Sequence, residues 1–291
     1  MRLLSWDRVA GWLLITSLAL PLFWMAGFAV SCSLGGVGLI SAGWTLEHWQ
    51  LAVTGSRLWR SLLLSGTLAV CSTTLGWLAA LSLVTGSGRL RTDLRLQVMW
   101  CLPLAMPLAV QGFLGGVVLS RGGLLSRLCW WLGLTGGVED FPVLIQDQYG
   151  IGLLLTMTAA SIPLLVLFLT RTWMAVRIDD YLAVASGLGA TRTFALRHVA
   201  IPMLWRRSRF MLLLTLLWNF NAWELPLLLG QQSPRMLSVL IQQSSGQFVL
   251  EERPQAFVYA VIYLCLAGLA VWRLSGYSGL DRSHNSESGD V

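Results

Sequence analysis

The chain has 291 residues, 55% of them hydrophobic and only 12% charged, with a net charge of +6 and a mean hydropathy of +0.67. A soluble domain carries about twice that charged fraction, so the composition excludes an ordinary water-soluble protein and indicates a polytopic, all-α membrane protein. All twenty basic residues are arginine; without lysine the chain can hold neither a P-loop for ATP nor a Schiff base to a cofactor.

In chain order, residues 1–9 form a short charged N-terminus with Arg2 and Arg8, and the first apolar run follows at 10–30, with Pro21 inside it. Its length suits an uncleaved span better than a signal peptide, and Ser31-Cys32 is a poor lipoprotein cleavage site. Residues 31–60 form a first external loop whose segment GWTLEHWQLAV reads as a short interfacial helix, with Trp44 and Trp49 suited to the headgroup region. A second span at 61–85 is followed by a basic loop carrying Arg89, Arg91 and Arg95.

The third span, 97–120, contains Pro103 and Pro107, which kink a helix and free carbonyls. After an external loop at 121–148 with Glu139, Asp140 and Asp147 comes a fourth span at 149–170 with Pro163. A long polar segment, 171–209, leads to a fifth span at 210–230, a third external loop at 231–253 and a sixth span at 254–272. The polar tail 273–291 has the composition of a disordered segment.

Fourteen arginines fall in segments 1–9, 86–96, 171–209 and 273–291, and six in 31–60, 121–148 and 231–253. The positive-inside rule then places both termini and the long loop in the cytoplasm. Topology thus accounts for the basic balance, and no nucleic-acid partner is read from it. No internal repeat is evident, so six spans in 10–272 look like half of a two-half pore.

The long loop carries the most informative stretch, DDYLAVASGLGATRTFALRHVAIP at 179–202. Leu182, Ala185 and Leu188 stand at helical spacing over 181–188, Gly187 and Gly189 permit a turn, and a second short helix over 194–199 should stop before Pro202. The segment resembles the cytoplasmic loop of the permeases of binding-protein-dependent ABC importers, whose pattern runs Glu-Ala-Ala, three residues, Gly, nine residues, Ile-x-Leu-Pro. Here Ala183, Val184 and Ala185 are followed by Gly189 and then by Val199, Ala200, Ile201 and Pro202 without a gap. Ala183 replaces the family's glutamate, so an acidic contact to the ATPase is missing. TLEHW near 45–49, NFNAWELPLLLG in the fifth span and LSVLIQQ before the last resemble the polyamine, iron and thiamine permeases.

The resemblance implies an inner-membrane permease subunit that pairs with a second copy or a related permease. Its loop residues Ala183, Ala185, Gly189, Val199, Ile201 and Pro202 dock cytoplasmic ATPase subunits, and an extracytoplasmic binding protein delivers solute. ATP would be bound by those partner chains, with no cofactor in this one. The alternative is a secondary transporter or channel subunit without an ATPase, which would show several ionisable groups at mid-membrane and repeated half-structures.

Glu224 is the only acid well inside an expected span, fourteen positions after Phe210, or roughly 21 Å along a helix. Asn221, three residues earlier, falls near the same helical face, and Pro226 loosens the backbone. Either the pair lines the translocation path and attracts a polar or cationic solute, or it hydrogen-bonds a neighbouring span or snorkels to the interface. Gln111 in the third span is a further path candidate. The three histidines fall outside the spans, and no Cys/His cluster with metal-ligand spacing occurs. The five cysteines are scattered; Cys32 and Cys129 fall in external segments and could pair, but single thiols are the expectation. No paired catalytic groups at depth support an enzyme.

Overall fold

A computed structural model describes residues 3–37, 43–246 and 253–287. Its regular elements are all helical, with no strand among the described residues. The order is α1 (Leu3–Ser33), α2 (Glu47–Thr54), α3 (Ser56–Gly86), α4 (Gly88–Thr92), α5 (Leu94–Ala105), α6 (Leu108–Leu119), α7 (Leu124–Trp131) and α8 (Ile151–Val176). There follow α9 (Ile178–Gly187), α10 (Arg192–Ala195), a π turn (Leu196–Ala200), α11 (Ile201–Asn221), α12 (Glu224–Leu229), α13 (Leu237–Gly246) and α14 (Arg253–Glu287).

Among the described residues, five stretches are long and apolar enough to cross a membrane: Ala10–Ser33, Ser56–Gly86, Leu108–Trp131, Ile151–Val176 and Arg253–Arg273. These correspond to the expected spans one, two, four and six and to the second half of span three. Expected span five corresponds to α11 and α12, with Arg206, Arg207 and Arg209 in the first half of α11. The last helix does not end near 272 but continues to Glu287, and no proline interrupts it after Pro254.

The chain divides into two compact units, residues 1–60 with 240–291 and residues 61–239. In the first, α1 packs along α14, with Phe28 edge-on to Phe257 at 6.1 Å. Trp49 of α2 donates its indole N–H to the buried Ser33 hydroxyl at 3.3 Å.

In the second unit two apolar clusters hold the helices. One gathers Trp77 and Val84 of α3, Leu165, Leu169 and Trp173 of α8, Ile178 of α9 and Leu204 of α11. The other gathers Leu68, Leu153, Met157, Leu225, Leu229 and Met236. At Gly115 of α6 a Cβ would stand 2.7 Å from the Thr156 hydroxyl, so only glycine lets α6 approach α8 this closely.

Of the expected spans that contain proline, one and four run as continuous helices over Pro21 and Pro163, whereas three and five are broken rather than merely bent. Span three breaks at Met106-Pro107, with Met106 extended (φ −82°, ψ 132°) as the residue before proline prefers. Span five breaks at Ala222-Trp223, four and three residues before Pro226, with Ala222 at φ −59°, ψ 128°. Each break leaves a carbonyl whose usual helical donor would be a proline nitrogen, and each is repaired by a side chain. Gln111 Nε2 donates to the Pro103 carbonyl at 2.8 Å and to the Met106 carbonyl at 3.0 Å. The Ser238 hydroxyl donates to the Ala222 carbonyl at 2.6 Å.

Candidate functional site

The 179–202 segment begins where α8 ends at Arg177, a left-handed residue (φ 55°) that turns the chain directly into α9. Ile178 is fully buried in the first apolar cluster, and Leu182 packs against the same cluster one turn later. The opposite face of α9 carries Tyr181, Val184 and Leu188, which are 52, 65 and 85% exposed. Spacings of three and four residues put these three apolar side chains on one stripe. The helix is therefore pinned by one face and presents the other uncovered.

The end of α9 is a Schellman turn: Gly189 N–H bonds the Ser186 carbonyl and Ala190 N–H bonds the Ala185 carbonyl, both at 3.0 Å. Gly189 sits at φ +85° with nothing within 4 Å of where a Cβ would be, so backbone conformation and not space requires glycine.

The second helix of the segment does not stop before Pro202. It passes through the π turn at Leu196–Ala200 and continues as α11, with Ile201 N–H bonded to the Leu196 carbonyl. Pro202 has no N–H for the His198 carbonyl, and the wider π turn accommodates that loss without ending the helix. The second half of the segment, from Arg192 onward, is thus one rod with α11. Ala195 and Ala200 are buried, while Phe194 and His198 stack on the outside at 4.1 Å.

Of the loop residues singled out, Ala183, Gly189 and Pro202 are exposed, and Ala185, Val199 and Ile201 are half-buried. Ile201 packs on the first cluster with Leu182 and Leu196. The exposed stripe beside Ala183 was missed by sequence reasoning, which counted Leu182 and Leu188 as one face; Leu182 turns inward and Leu188 outward.

The intramembrane candidates separate. Asn221 and Glu224 do not share a helical face, because the break at Ala222-Trp223 lies between them. Asn221 is exposed at the end of α11, whereas Glu224 opens α12, half-buried, with Oε2 enclosed and without a hydrogen-bond partner among the described residues. Gln111 spends its amide N–H groups on the carbonyls of the span-three break.

The polar residue that joins the spans is Asn219, 3% exposed. Its Nδ2 donates to Thr73 of α3 and Ser161 of α8, both at 3.1 Å. Sequence reasoning passed over it in favour of Asn221. The signal was present in the pair of asparagines in NFN, but which of the two faces the neighbouring spans depends on where Thr73 and Ser161 lie.

The five cysteines are free thiols, Cys32 buried and Cys129 half-buried.

No family model matches the chain. Over 183 residues it is 29% identical to a Salmonella typhimurium (strain LT2) protein named as the permease PhnV of a 2-aminoethylphosphonate transport system, and equally to its namesake in Salmonella choleraesuis. The matched region covers 62% of this chain and 61% of the length of those relatives. Among solved structures, a bacterial ABC transporter that imports the acidic polysaccharide alginate superposes with a TM-score of 0.69 at 16% identity, covering 97% of this chain and 99% of that one. The alginate transporter in complex with its pentasaccharide-bound periplasmic protein gives a TM-score of 0.68 at 16% identity, over 91 and 93% of the two chains. The chain shares the fold of these chains of bacterial ABC transporters. As expected from the sequence, the chain is an all-α protein with several membrane spans, similar over 62% of its length to a transport-system permease.

Proposed function

We propose that the chain is the permease subunit of an ATP-driven importer of the inner membrane. It forms half of a translocation path and docks separate ATPase subunits through 179–202. The observation that carries this reading is the uncovered stripe Tyr181, Val184 and Leu188 on a helix whose other face is locked into the core. Three exposed apolar side chains on a water-facing helix are costly unless a partner covers them. The sequence resemblance supplies the partner class, and the absence of lysine means ATP must be bound by other chains. Apolar contact through this stripe replaces the acidic contact that Ala183 cannot make.

The arginine distribution favours both termini and the docking segment in the cytoplasm. A second copy or a related permease completes the path, and an extracytoplasmic binding protein delivers solute. The structural neighbour in complex with a periplasmic protein supports that arrangement by analogy. Glu224, beside an unwound segment and with one carboxylate oxygen unpartnered, is the strongest candidate for contact with a polar or cationic solute. The relatives named for 2-aminoethylphosphonate make an amine-bearing solute the first to try.

The test is co-purification from the native membrane. Wild-type chain should retain an ATPase pair, and Leu188→Asp should lose it while remaining monodisperse. A wild-type chain that transports without any ATPase would favour the secondary-transporter reading instead.

A further inference from the structure

Arg91 lies in α4, outside the candidate spans, yet its side chain is only 12% exposed. Its Nη1 donates to the Val84 carbonyl at 2.7 Å, in the last turn of α3. Its guanidinium stands 4.2 Å from the centroid of the Trp173 ring, in the last turn of α8. Its Nη2 is 3.6 Å from Asp179 Oδ1, in the first turn of α9, and Asp179 Oδ2 accepts the Trp173 indole N–H at 3.0 Å. One cation thus joins the ends of two spans to the start of the docking helix. Arg192 adds a second tie, donating to the Thr85 carbonyl at 3.5 Å.

The apolar cluster beneath already holds α3 against α8, but apolar surfaces slide and rotate at small cost. A planar guanidinium that stacks, donates and pairs at once fixes rotation and register as well. Burial and the nearby Arg192 lower the Arg91 pKa while Asp179 opposes them; a guanidinium stays protonated regardless. The covalent chain links α9 to α8 and, through the π turn, to α11. Among the described residues, only the Arg91 cluster and the Arg192 tie give α9 and α10 directional contacts to α3.

We infer that Arg91 is a positioning residue: it clamps α9 to α3 and α8, so that movement of the docking face carries both span ends as one body. The inference rests on the docking reading of 179–202 and names the strut through which docking would act.

The experiment uses the full chain, cysteine-free, with spin labels at Leu83→Cys and Ser186→Cys, both exposed, alone and in complex with its ATPase. Distances between the labels are read by double electron–electron resonance with and without ATP and vanadate. Without Arg91 or Asp179 substitutions, the distribution should be narrow and unchanged by nucleotide. Arg91→Gln and the milder Asp179→Asn should broaden it in the chain alone and make it shift with ATP and vanadate. Arg91→Lys, which keeps charge but not the stacked fork, should broaden it less. Narrow, nucleotide-independent distributions in Arg91→Gln and Asp179→Asn would overturn the clamp. Loss of folding by both variants would reduce the cluster to a folding contact and overturn it equally. If no ATPase binds the parent chain, the docking reading fails, while broadening in the chain alone still reports on the clamp.

Discussion

Asn219 and Asn221 stand two positions apart in α11 and do different things. The first is enclosed and ties α3 and α8 to α11; the second is exposed beside a helix break. Interhelical hydrogen bonds between polar side chains in a membrane contribute about 1 kcal/mol. Asn219→Leu should therefore lower the unfolding midpoint in detergent measurably, whereas Asn221→Leu should leave it unchanged. Glu224 is the converse case, with a carboxylate oxygen enclosed and unpartnered among the described residues. Such an oxygen needs a partner from outside, since burying a charge unpaired is costly. Glu224→Gln should reduce uptake of the solute held by the cognate binding protein while the complex still assembles; unchanged uptake would remove Glu224 from the path. The residue-level site was partly legible: an acid at depth is conspicuous in any apolar sequence. Its separation from Asn221 was not, because the break is set by Pro226 together with Ser238, which meets the freed carbonyl from a different helix.

At the scale of elements, the prolines announce where helices are interrupted but not how. Three prolines meet three outcomes: an extended break at Pro107, an unwound pair ahead of Pro226, and at Pro202 a π turn that keeps the rod continuous. The outcome depends on whether a side chain is available for the orphaned carbonyl, and those side chains lie up to a helix away. Gln111 illustrates the point: a polar residue in a span reads as path-lining from sequence, yet its amide serves the backbone. Gln111→Leu would leave the Pro103 carbonyl with only the weaker contact from Met106 N–H and should cost about 1–2 kcal/mol, read as a lowered thermal midpoint. The turn at Gly189 was fully legible, because Gly at the end of a helical stripe has a single backbone reason. Gly189→Pro cannot adopt φ +85° and loses the N–H bonded to Ser186, so it should uncouple ATP hydrolysis from uptake. Normal ATP-driven uptake by that variant would contradict a docking role for the segment.

For the molecule as a whole, composition and arginine placement already specified a helical, multi-pass protein, because apolar runs of span length leave the backbone no alternative in lipid. Span count was legible only approximately, since two spans are broken and one begins among arginines that also serve the loop. An expected sidedness comes from the same arginines. Fourteen of twenty lie in the segments expected on the side of 179–202, and seven of those are in 171–209 alone. The positive-inside rule and the proposed docking role call for the same side, because ATP is cytosolic and a docking stripe on α9 would have to meet a cytosolic partner. The two requirements are independent, one from charge and one from packing, so a single measurement can set them against each other. A membrane-impermeant maleimide applied to intact cells should label a cysteine at Asp140, in an expected external loop, and fail to label one at Arg192 until the membrane is opened. Both positions are exposed, so access and not burial decides the result. Labelling at position 192 in intact cells would invert the topology and place the stripe of Tyr181, Val184 and Leu188 where no ATPase can reach it.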